Sequence, residues 1–476
     1  MTEIFPQATS PEKSAYLIGI GGVGMSALAG LLYQNGYSVS GSDQEIYPPA
    51  SDTLKRLNIP VFTPYSANNV PEKVNLVVVG NACSRGHPEV EVVLERGLRY
   101  RSLPEVLKEE FLWNRYSIVV AGTHGKTTTS SMLAWLLSTA NRHPSFFIGG
   151  IPGNFPEPFQ LDQGTEFVVE GDEYDSAFFD KRPKFLHYCA RGVILGKVEF
   201  DHSDIYQNIE EIELAFTRLI QLIPKNGMLI AFGDQERVRR LSSKALCPVS
   251  FFGFEENNDW RAVEVVSSAS GMEFRLLVKG DDRENSDMCA CLSQWGKHNV
   301  MNALGAMAMA HHRGISFEEL RNALKEFHGV NRRMQELGTV NGITFIDDFA
   351  HHPTAIHESI AAVRCKYPQR RVVAVFEPRS NTTVRNFFQK EIAEALGEAD
   401  MVFIGPVHRI DRIPPTERLD INRIIEHLEN KGIPAFHHHQ FDKVVSAVQS
   451  RIQPGDVVLI MSNGSFGGIA HQLMMT

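Results

Sequence analysis

An α/β protein of three domains is predicted by three features of the chain. Its 476 residues exceed one ordinary domain. Apolar strand-like runs alternate with helical periodicity, the pattern of parallel sheets covered by helices. Those runs end in glycine-rich, acidic or histidine-rich loops, and loops beyond the carboxyl ends of parallel strands are where ligands sit.

The first block reads strand, glycine turn, helix, strand through "AYLIGIGGVGMSALAGLLYQNGYSVSGSD", then a buried strand and polar loop in "VNLVVVGNACSRGHPE". A second opens at Tyr116, includes "VVAGTHGKTTTSSMLAWLL", and continues through "EFVVEGDEYD" and "GVILGKVEFDH". Within it, the alternation from Asn258 to Cys291 predicts an antiparallel accessory sheet. The third follows "GVNRRMQELG", with strands expected at "ITFIDD", "RVVAVFEPRSN", "DMVFIGPV" and "DVVLIMSNG". Boundaries are expected near 113 and 330, giving segments 1–112, 113–329 and 330–476.

Hydrophobic content of 43% and charged content of 22% describe a globular protein. Lys+Arg 47 against Asp+Glu 56 leaves a net charge of −9, so no global basic field invites nucleic acid. The N-terminal "MTEIFPQATSPEK" lacks the pattern of a secretory signal, and no apolar run approaches the roughly 18 residues of a membrane span. Six scattered cysteines fit free thiols in a reducing cytoplasm. Cys289-Ala290-Cys291 has no second pair at a zinc spacing. His437-His438-His439 reads as a surface loop, because successive side chains on an extended chain alternate in direction.

The segment Gly122-Thr123-His124-Gly125-Lys126-Thr127-Thr128 follows a strand and opens a helix. Its glycines let backbone amides approach an anion, and the helix start adds free N–H groups and a positive dipole end. Lys126 can reach the outer phosphates of a nucleotide and the Thr127 hydroxyl can ligate Mg²⁺. The loop is short, since Val120 stands where the full phosphate-loop pattern has glycine. Glu170-Gly171-Asp172-Glu173 and Asp201-His202 end strands in the same block and can meet metal-bound phosphates, although strand-end carboxylates also cap helices.

The N-terminal Gly19-Ile-Gly-Gly-Val-Gly24 likewise follows a strand and precedes a helix, with Asp43 nineteen residues beyond Gly24. That is the spacing of a dinucleotide fingerprint, yet it accommodates any nucleotide diphosphate. Two such loops in one chain suggest two phosphorylated ligands. A nicotinamide oxidoreductase would leave the second loop and its acidic partners without a role.

Along nearly its whole length the chain resembles the Mur ligases, ATP-dependent amide-forming enzymes of bacterial cell-wall synthesis. The resemblance rests on "GIGGVGMSALA…SGSD", "GTHGKTTT", "EGDEYD", "EFDHSD", "GKHNVMNALGA", "GVNRRMQ" and "DDFAHHPTAI". It implies a Rossmann-like UDP-binding domain, a central P-loop-type ATPase domain with a parallel sheet, and a C-terminal Rossmann-like acceptor domain. Two branches of the family start from the muramoyl carboxylate of UDP-N-acetylmuramate, one adding L-alanine and one adding an intact murein tripeptide. "YPPASDTL", "GNACSRGHPEVE", "DEYDSAFFDKRPKFLHY", "FEPRSNT" and "MSNGSFGGI" resemble the tripeptide branch. The alanine branch, the alternative, carries a His-Arg-Tyr-type loop where Pro378-Arg379-Ser380-Asn381-Thr382 stands.

The resemblance also implies roles. Thr127, Glu173 and His202 would hold Mg²⁺; His298, Asn299 and Asn302 would contact the ATP base and ribose, or else cap the helix there. Arg332 and Asp347 would close from the third domain on phosphate and ribose, with Lys126, Glu173, His202 and Arg332 serving the chemistry. Gly21, Val23, Gly24, Ser42, Asp43 and Asn81 would hold UDP. Arg379, with Ser380, Asn381 and Ser462 around it, would recognise a carboxylate of the acceptor set back from its amine. In the ligation that this implies, the γ-phosphoryl of ATP activates the carboxylate as an acyl phosphate, which the acceptor amine then attacks. One departure stands out: Lys197 occupies a position where the family usually has asparagine, and a lysine keeps a donor but loses the amide's acceptor. Its ammonium is expected to substitute for a cationic contact or to point to solvent.

Overall fold

A computed structural model describes residues 13–280 and 287–475. The N-terminal stretch inspected for a signal falls outside the described residues except for Lys13, as do residues 281–286 of the alternating segment.

The first sheet is five-stranded and parallel throughout, in the order β3-β2-β1-β4-β5. Its strands are β1 (Ser14–Ile18), β2 (Ser38–Ser42), β3 (Val61–Phe62), β4 (Leu76–Val79) and β5 (Tyr100–Ser102). Every residue of β4 is buried, as its unbroken Leu-Val-Val-Val run requires of a strand covered on both faces. Helix α1 (Val23–Gln34) follows β1 through Gly19, whose φ of 84° lies in the left-handed region that glycine enters without cost.

The second sheet has ten strands in the order β17-β16-β15-β14-β13-β12-β6-β9-β7-β8. They are β6 (Tyr116–Ala121), β7 (Ser145–Phe147), β8 (Phe159–Gln160), β9 (Glu166–Glu170), β12 (Gly192–Leu195), β13 (Met228–Phe232), β14 (Val249–Gly253), β15 (Trp260–Ser268), β16 (Gly271–Val278) and β17 (Asp287–Leu292). Strands β10 (Asp175–Ala177) and β11 (Asp180–Pro183) form a separate hairpin. The alternating segment is antiparallel as expected, but it is not a sheet of its own. β15 joins the main sheet by pairing Phe252 with Trp260 and Gly253 with Arg261, and β16 and β17 continue from it. Helices α2 (Lys126–Thr139) and α3 (Lys297–His312) share one buried core with the sheet, including Met132, Leu133, Leu136, Met301 and Leu304. A second core runs into the first domain, where Phe159 fills the space beside Gly30 so closely that a Cβ there would lie 2.0 Å from the ring.

The third sheet has the order β18-β19-β23-β20-β21-β22 and is parallel except for β18. Its strands are β18 (Gln335–Val340), β19 (Ile343–Asp348), β20 (Val372–Phe376), β21 (Met401–Ile404), β22 (Ala435–His437) and β23 (Val457–Met461), with helix α4 (Pro353–Lys366) after β19. The four expected strands are present. The two edge strands were not anticipated: β18 is half-exposed with little apolar content, and β22 is three residues long and takes in His437. No helix among the described residues is long and apolar enough to cross a membrane.

Candidate active site

β6 ends at Ala121, and the chain turns through Gly122 at φ 131° and Gly125 at φ 77° into α2. The glycines are needed for space as well as for φ. A Cβ on Gly122 would lie 3.1 Å from the backbone of Gly196 and Lys197, and one on Gly125 would lie 2.3 Å from the amide oxygen of Asn302. The Thr123 N–H donates to the Lys197 carbonyl at 2.8 Å, so the loop rests on the segment after β12. No side chain caps the start of α2, which leaves its first-turn amides available to an anion. Thr127 and Thr128 are buried there.

Lys126 folds over this turn, with Nζ 2.9 Å from the Gly122 carbonyl and 3.0 Å from Glu173 Oε2. Glu173, only 3% exposed, also lies 2.9 Å from His202 Nε2 through its other oxygen. Burial pushes the Glu173 carboxyl up, but Lys126 and His202 outweigh it and hold the group at about 2. Burial pushes His202 down and the Glu173 carboxylate more than compensates, so the imidazole is raised. His202 has a left-handed φ of 56°, strain of the kind that collects at functional sites. Lys126, Glu173 and His202, distant in sequence, thus meet in one cluster.

Thr127 is committed differently. Its hydroxyl donates to Glu170 Oε1 at 2.9 Å, and Glu170 Oε2 accepts from the Gly149 N–H at 2.7 Å. Glu170 is the last residue of β9 and the first of the acidic run expected to meet metal-bound phosphates. Burial and neighbouring Asp172 push its carboxyl up, while Asp172 itself lies 3.3 Å from the Lys184 ammonium. The Glu170 and Glu173 carboxylates, with the Thr127 hydroxyl and the His202 imidazole alongside, are a donor set suited to Mg²⁺.

From the third domain, Arg332 and Asp347 pair with each other, Nε to Oδ2 at 3.1 Å, and Arg332 Nη2 donates to the carbonyls of Ser462 and Gly464. The arginine that reaches the phosphate loop is the next one: Arg333 Nη2 lies 3.4 Å from Thr127 Oγ1. Two arginines in succession gave no sequence signal as to which would face the loop. At the start of α3, Asn302 lies against Gly125, whereas Asn299 Nδ2 donates to the Trp295 carbonyl at 2.8 Å in a helix-start bond. His298 is half-buried and its pKa is lowered by desolvation, with Glu358 and Lys197 among its charged neighbours.

In the first domain, Asp43 Oδ2 accepts from the Gly21 N–H at 2.8 Å and Oδ1 from the Tyr65 hydroxyl at 3.0 Å, which fixes the glycine loop. Val23 and Asn81 are exposed and Gly24 packs near Leu103. Ser42 is fully buried, and its hydroxyl donates to Glu89, beneath the loop rather than on it.

A cavity of about 350 Å³ opens beside His202, walled by Tyr174, His351, Arg379, Arg409 and Arg412. Ser380 and Asn381 also line it. Ser462 does not, because its buried hydroxyl donates to Glu377. Arg379 is partly engaged as well, with Nη1 3.3 Å from Glu377. Arg409, at a left-handed φ of 50°, and Arg412 have no carboxylate within ion-pair distance among the described residues. They stand on the loop after β21, which the sequence did not single out. A larger hollow of about 840 Å³ around Arg418, Arg423 and His437 contains none of the expected residues.

Lys197 neither enters the cluster nor points to solvent. Its ammonium lies 2.5 Å from Glu358 Oε1 on α4, across the seam between the second and third domains. On the same seam, Glu199 Oε2 accepts from the Thr354 hydroxyl at 2.7 Å and lies 3.0 Å from His124 Nε2. His352 is close enough to make a metal-like trio with His124 and Glu199. Its Nδ1, however, accepts from the Thr354 N–H, and its Nε2 faces the Phe200 carbonyl. Both ring nitrogens are spent, so the trio is a hydrogen-bonded junction rather than an open ligand set.

Comparison with known proteins matches three family models along the chain: "Mur ligase family, catalytic domain" over residues 14–112, "Mur ligase middle domain" over 120–310, and "Mur ligase, glutamate ligase domain" over 332–464. The chain is 39% identical over 462 residues to a UDP-N-acetylmuramate–L-alanyl-gamma-D-glutamyl-meso-2,6-diaminoheptandioate ligase of Escherichia coli K12, covering 96% of this chain and 97% of that one. It is 32% identical over 468 residues to a UDP-N-acetylmuramate–L-alanine ligase of Clostridium acetobutylicum, covering 97% and 98%. Among solved structures, a murein peptide ligase of Psychrobacter arcticus superposes with a TM-score of 0.74 at 34% identity, covering 97% of this chain and 98% of that one.

Proposed function

This chain belongs to the Mur ligase family, and we propose that it joins L-alanyl-γ-D-glutamyl-meso-diaminopimelate to the lactyl carboxylate of UDP-N-acetylmuramate at the expense of ATP. The observation that carries this is an adjacency. The cluster of Lys126, Glu173 and His202 at the phosphate loop shares the His202 wall with a cavity rich in arginine.

A carboxylate is a poor electrophile because its charge is delocalised and oxide is its leaving group. Transfer of the γ-phosphoryl of ATP gives an acyl phosphate and ADP. The acceptor's free L-alanyl amine attacks the carbonyl, loses a proton, and the tetrahedral intermediate expels inorganic phosphate. Such transfer needs positioning and charge neutralisation more than covalent help from the protein. The loop amides and Lys126 would hold the outer phosphates, and Arg333 would approach from the third domain. Thr127, Glu170, Glu173 and His202 would hold Mg²⁺, which when bound neutralises phosphate charge. An α-amine with a pKa near 8 is already partly neutral near pH 7, so a dedicated general base is unnecessary.

The acceptor assignment rests on charge. L-Alanine offers one carboxylate next to its reacting amine, whereas the γ-linked tripeptide offers three, all farther away. Arg409 and Arg412, with no ion-pair partner among the described residues, and Arg379 in the same cavity suit those distal carboxylates. We divide the chain near 113 and 330, with UDP held by Gly21, Asp43 and their neighbours, and set the reaction in the cytoplasm, where ATP is available. A phosphate-release assay with UDP-N-acetylmuramate and a panel of amine acceptors tests the whole proposal.

A further inference from the structure

The segment from Lys197 to Phe200 runs along one face of α4. Lys197 meets Glu358, Glu199 meets Thr354, and the Phe200 carbonyl meets His352. Thr354 and Glu358 are four residues apart and so share a helix face. The same segment supports the phosphate loop from below, through the Lys197 carbonyl and the close packing of Gly122 on Gly196. Lys197 therefore contacts the loop with its backbone and the third domain with its side chain.

We propose that Lys197 and Glu358 are a positioning pair that holds the third domain closed over the phosphate loop during ligation. The inference rests on the ligase function proposed above. An asparagine at this position would end two carbons sooner than lysine and carry no charge, so it could not make this pair from the same backbone. Both side chains are mostly buried, 23% and 19% exposed. If the pair is broken, the closed state holds a carboxylate or an ammonium with its partner missing. The cost falls on closure alone, because each group regains water when the domains separate. Closure is also what brings Arg333 to Thr127.

The test uses the full-length protein with Lys197→Asn, Glu358→Gln, the double variant, and the charge exchange Lys197→Glu with Glu358→Lys. Each single change is expected to lower kcat/KM for ATP about 3- to 10-fold, as for a part-buried ion pair. The double variant should be no worse than either single one, and the exchange should recover most of the loss. Small-angle scattering with a non-hydrolysable ATP analogue and UDP-N-acetylmuramate should show a more extended average shape in the single variants. Binding of UDP-N-acetylmuramate alone, measured by calorimetry, should be unchanged. Additive losses, unaffected single variants, or wild-type scattering in a folded Lys197→Asn protein would overturn the proposal. If the exchange variant does not fold, Lys197→Arg decides: it should retain activity and closure where Lys197→Asn does not. Wild-type protein that ligates no acceptor would contradict the ligase function itself, while the scattering comparison still tests the pair.

Discussion

The guanidinium of Arg333 lies 3.4 Å from the hydroxyl of Thr127, so a residue at the entrance to the third domain reaches the helix that opens at the phosphate loop. Arg332, its neighbour, is held away by Asp347 and two carbonyls. Arg333→Ala is expected to lower turnover by about two orders of magnitude, as loss of one preorganised charge donor does, with UDP-N-acetylmuramate binding intact. Steady-state kinetics on the two alanine variants separates them. A loss confined to Arg332→Ala would show that the phosphate contact belongs to that residue.

Lys126→Ala should reduce turnover further, by about 10³-fold or more, since it removes the lysine that lies on the phosphate loop itself and pairs with Glu173. Because the UDP-binding loop lies on the first sheet, calorimetric affinity for UDP-N-acetylmuramate should stay within about twofold of wild type. A folded variant that no longer binds the UDP-sugar would count against this division of labour.

Arg409→Ala and Arg412→Ala should each raise the KM for tripeptide roughly 10- to 100-fold, the worth of a charged hydrogen bond at about 1.5–3 kcal/mol. The KM for ATP should not change. Initial rates at varied tripeptide concentration check this, and unchanged values would return the acceptor role to Arg379 alone.

The Glu199 carboxyl gives a stability prediction. Burial pushes it up, but its bonds to His124 and Thr354 and the nearby His352 bring it down to about 2 from an ordinary 4.5. A group depressed on folding stabilises the protein above its unfolded value, and that stability is lost as pH falls through the folded one. Wild type should therefore lose stability between about pH 4.5 and pH 2 more steeply than Glu199→Gln, which has no such group to protonate. Urea midpoints across that range provide the comparison; parallel curves would place the acid sensitivity elsewhere.

The legible parts of the molecule were those fixed by local pattern. A glycine turn between a buried strand and a helix, with lysine and threonine at its end, needs only consecutive residues to be recognised. The clustering of Glu173 with His202 could be expected because both end strands of one parallel sheet, whose carboxyl ends lie together. Contacts that depend on how domains meet were not legible. Nothing near Lys197 names Glu358, and nothing distinguishes Arg333 from Arg332 until the strand after them fixes which side chain turns inward. Ser42 and Ser462 looked like ligand residues at strand ends, yet buried Glu89 and Glu377 claim their hydroxyls. Arg409 and Arg412 became visible only in the folded loop after β21, which shares a cavity with His202.

The central claim is that this Mur ligase adds an intact tripeptide to UDP-N-acetylmuramate, and phosphate release coupled to ADP formation tests it most directly. With ATP, Mg²⁺ and UDP-N-acetylmuramate present, L-alanyl-γ-D-glutamyl-meso-diaminopimelate should drive turnover, and the UDP-linked product should carry the mass of the whole peptide. Free L-alanine should support a kcat/KM lower by at least about two orders of magnitude, as expected when the distal carboxylates are missing. Preference for L-alanine, with tripeptide ignored, would contradict the account.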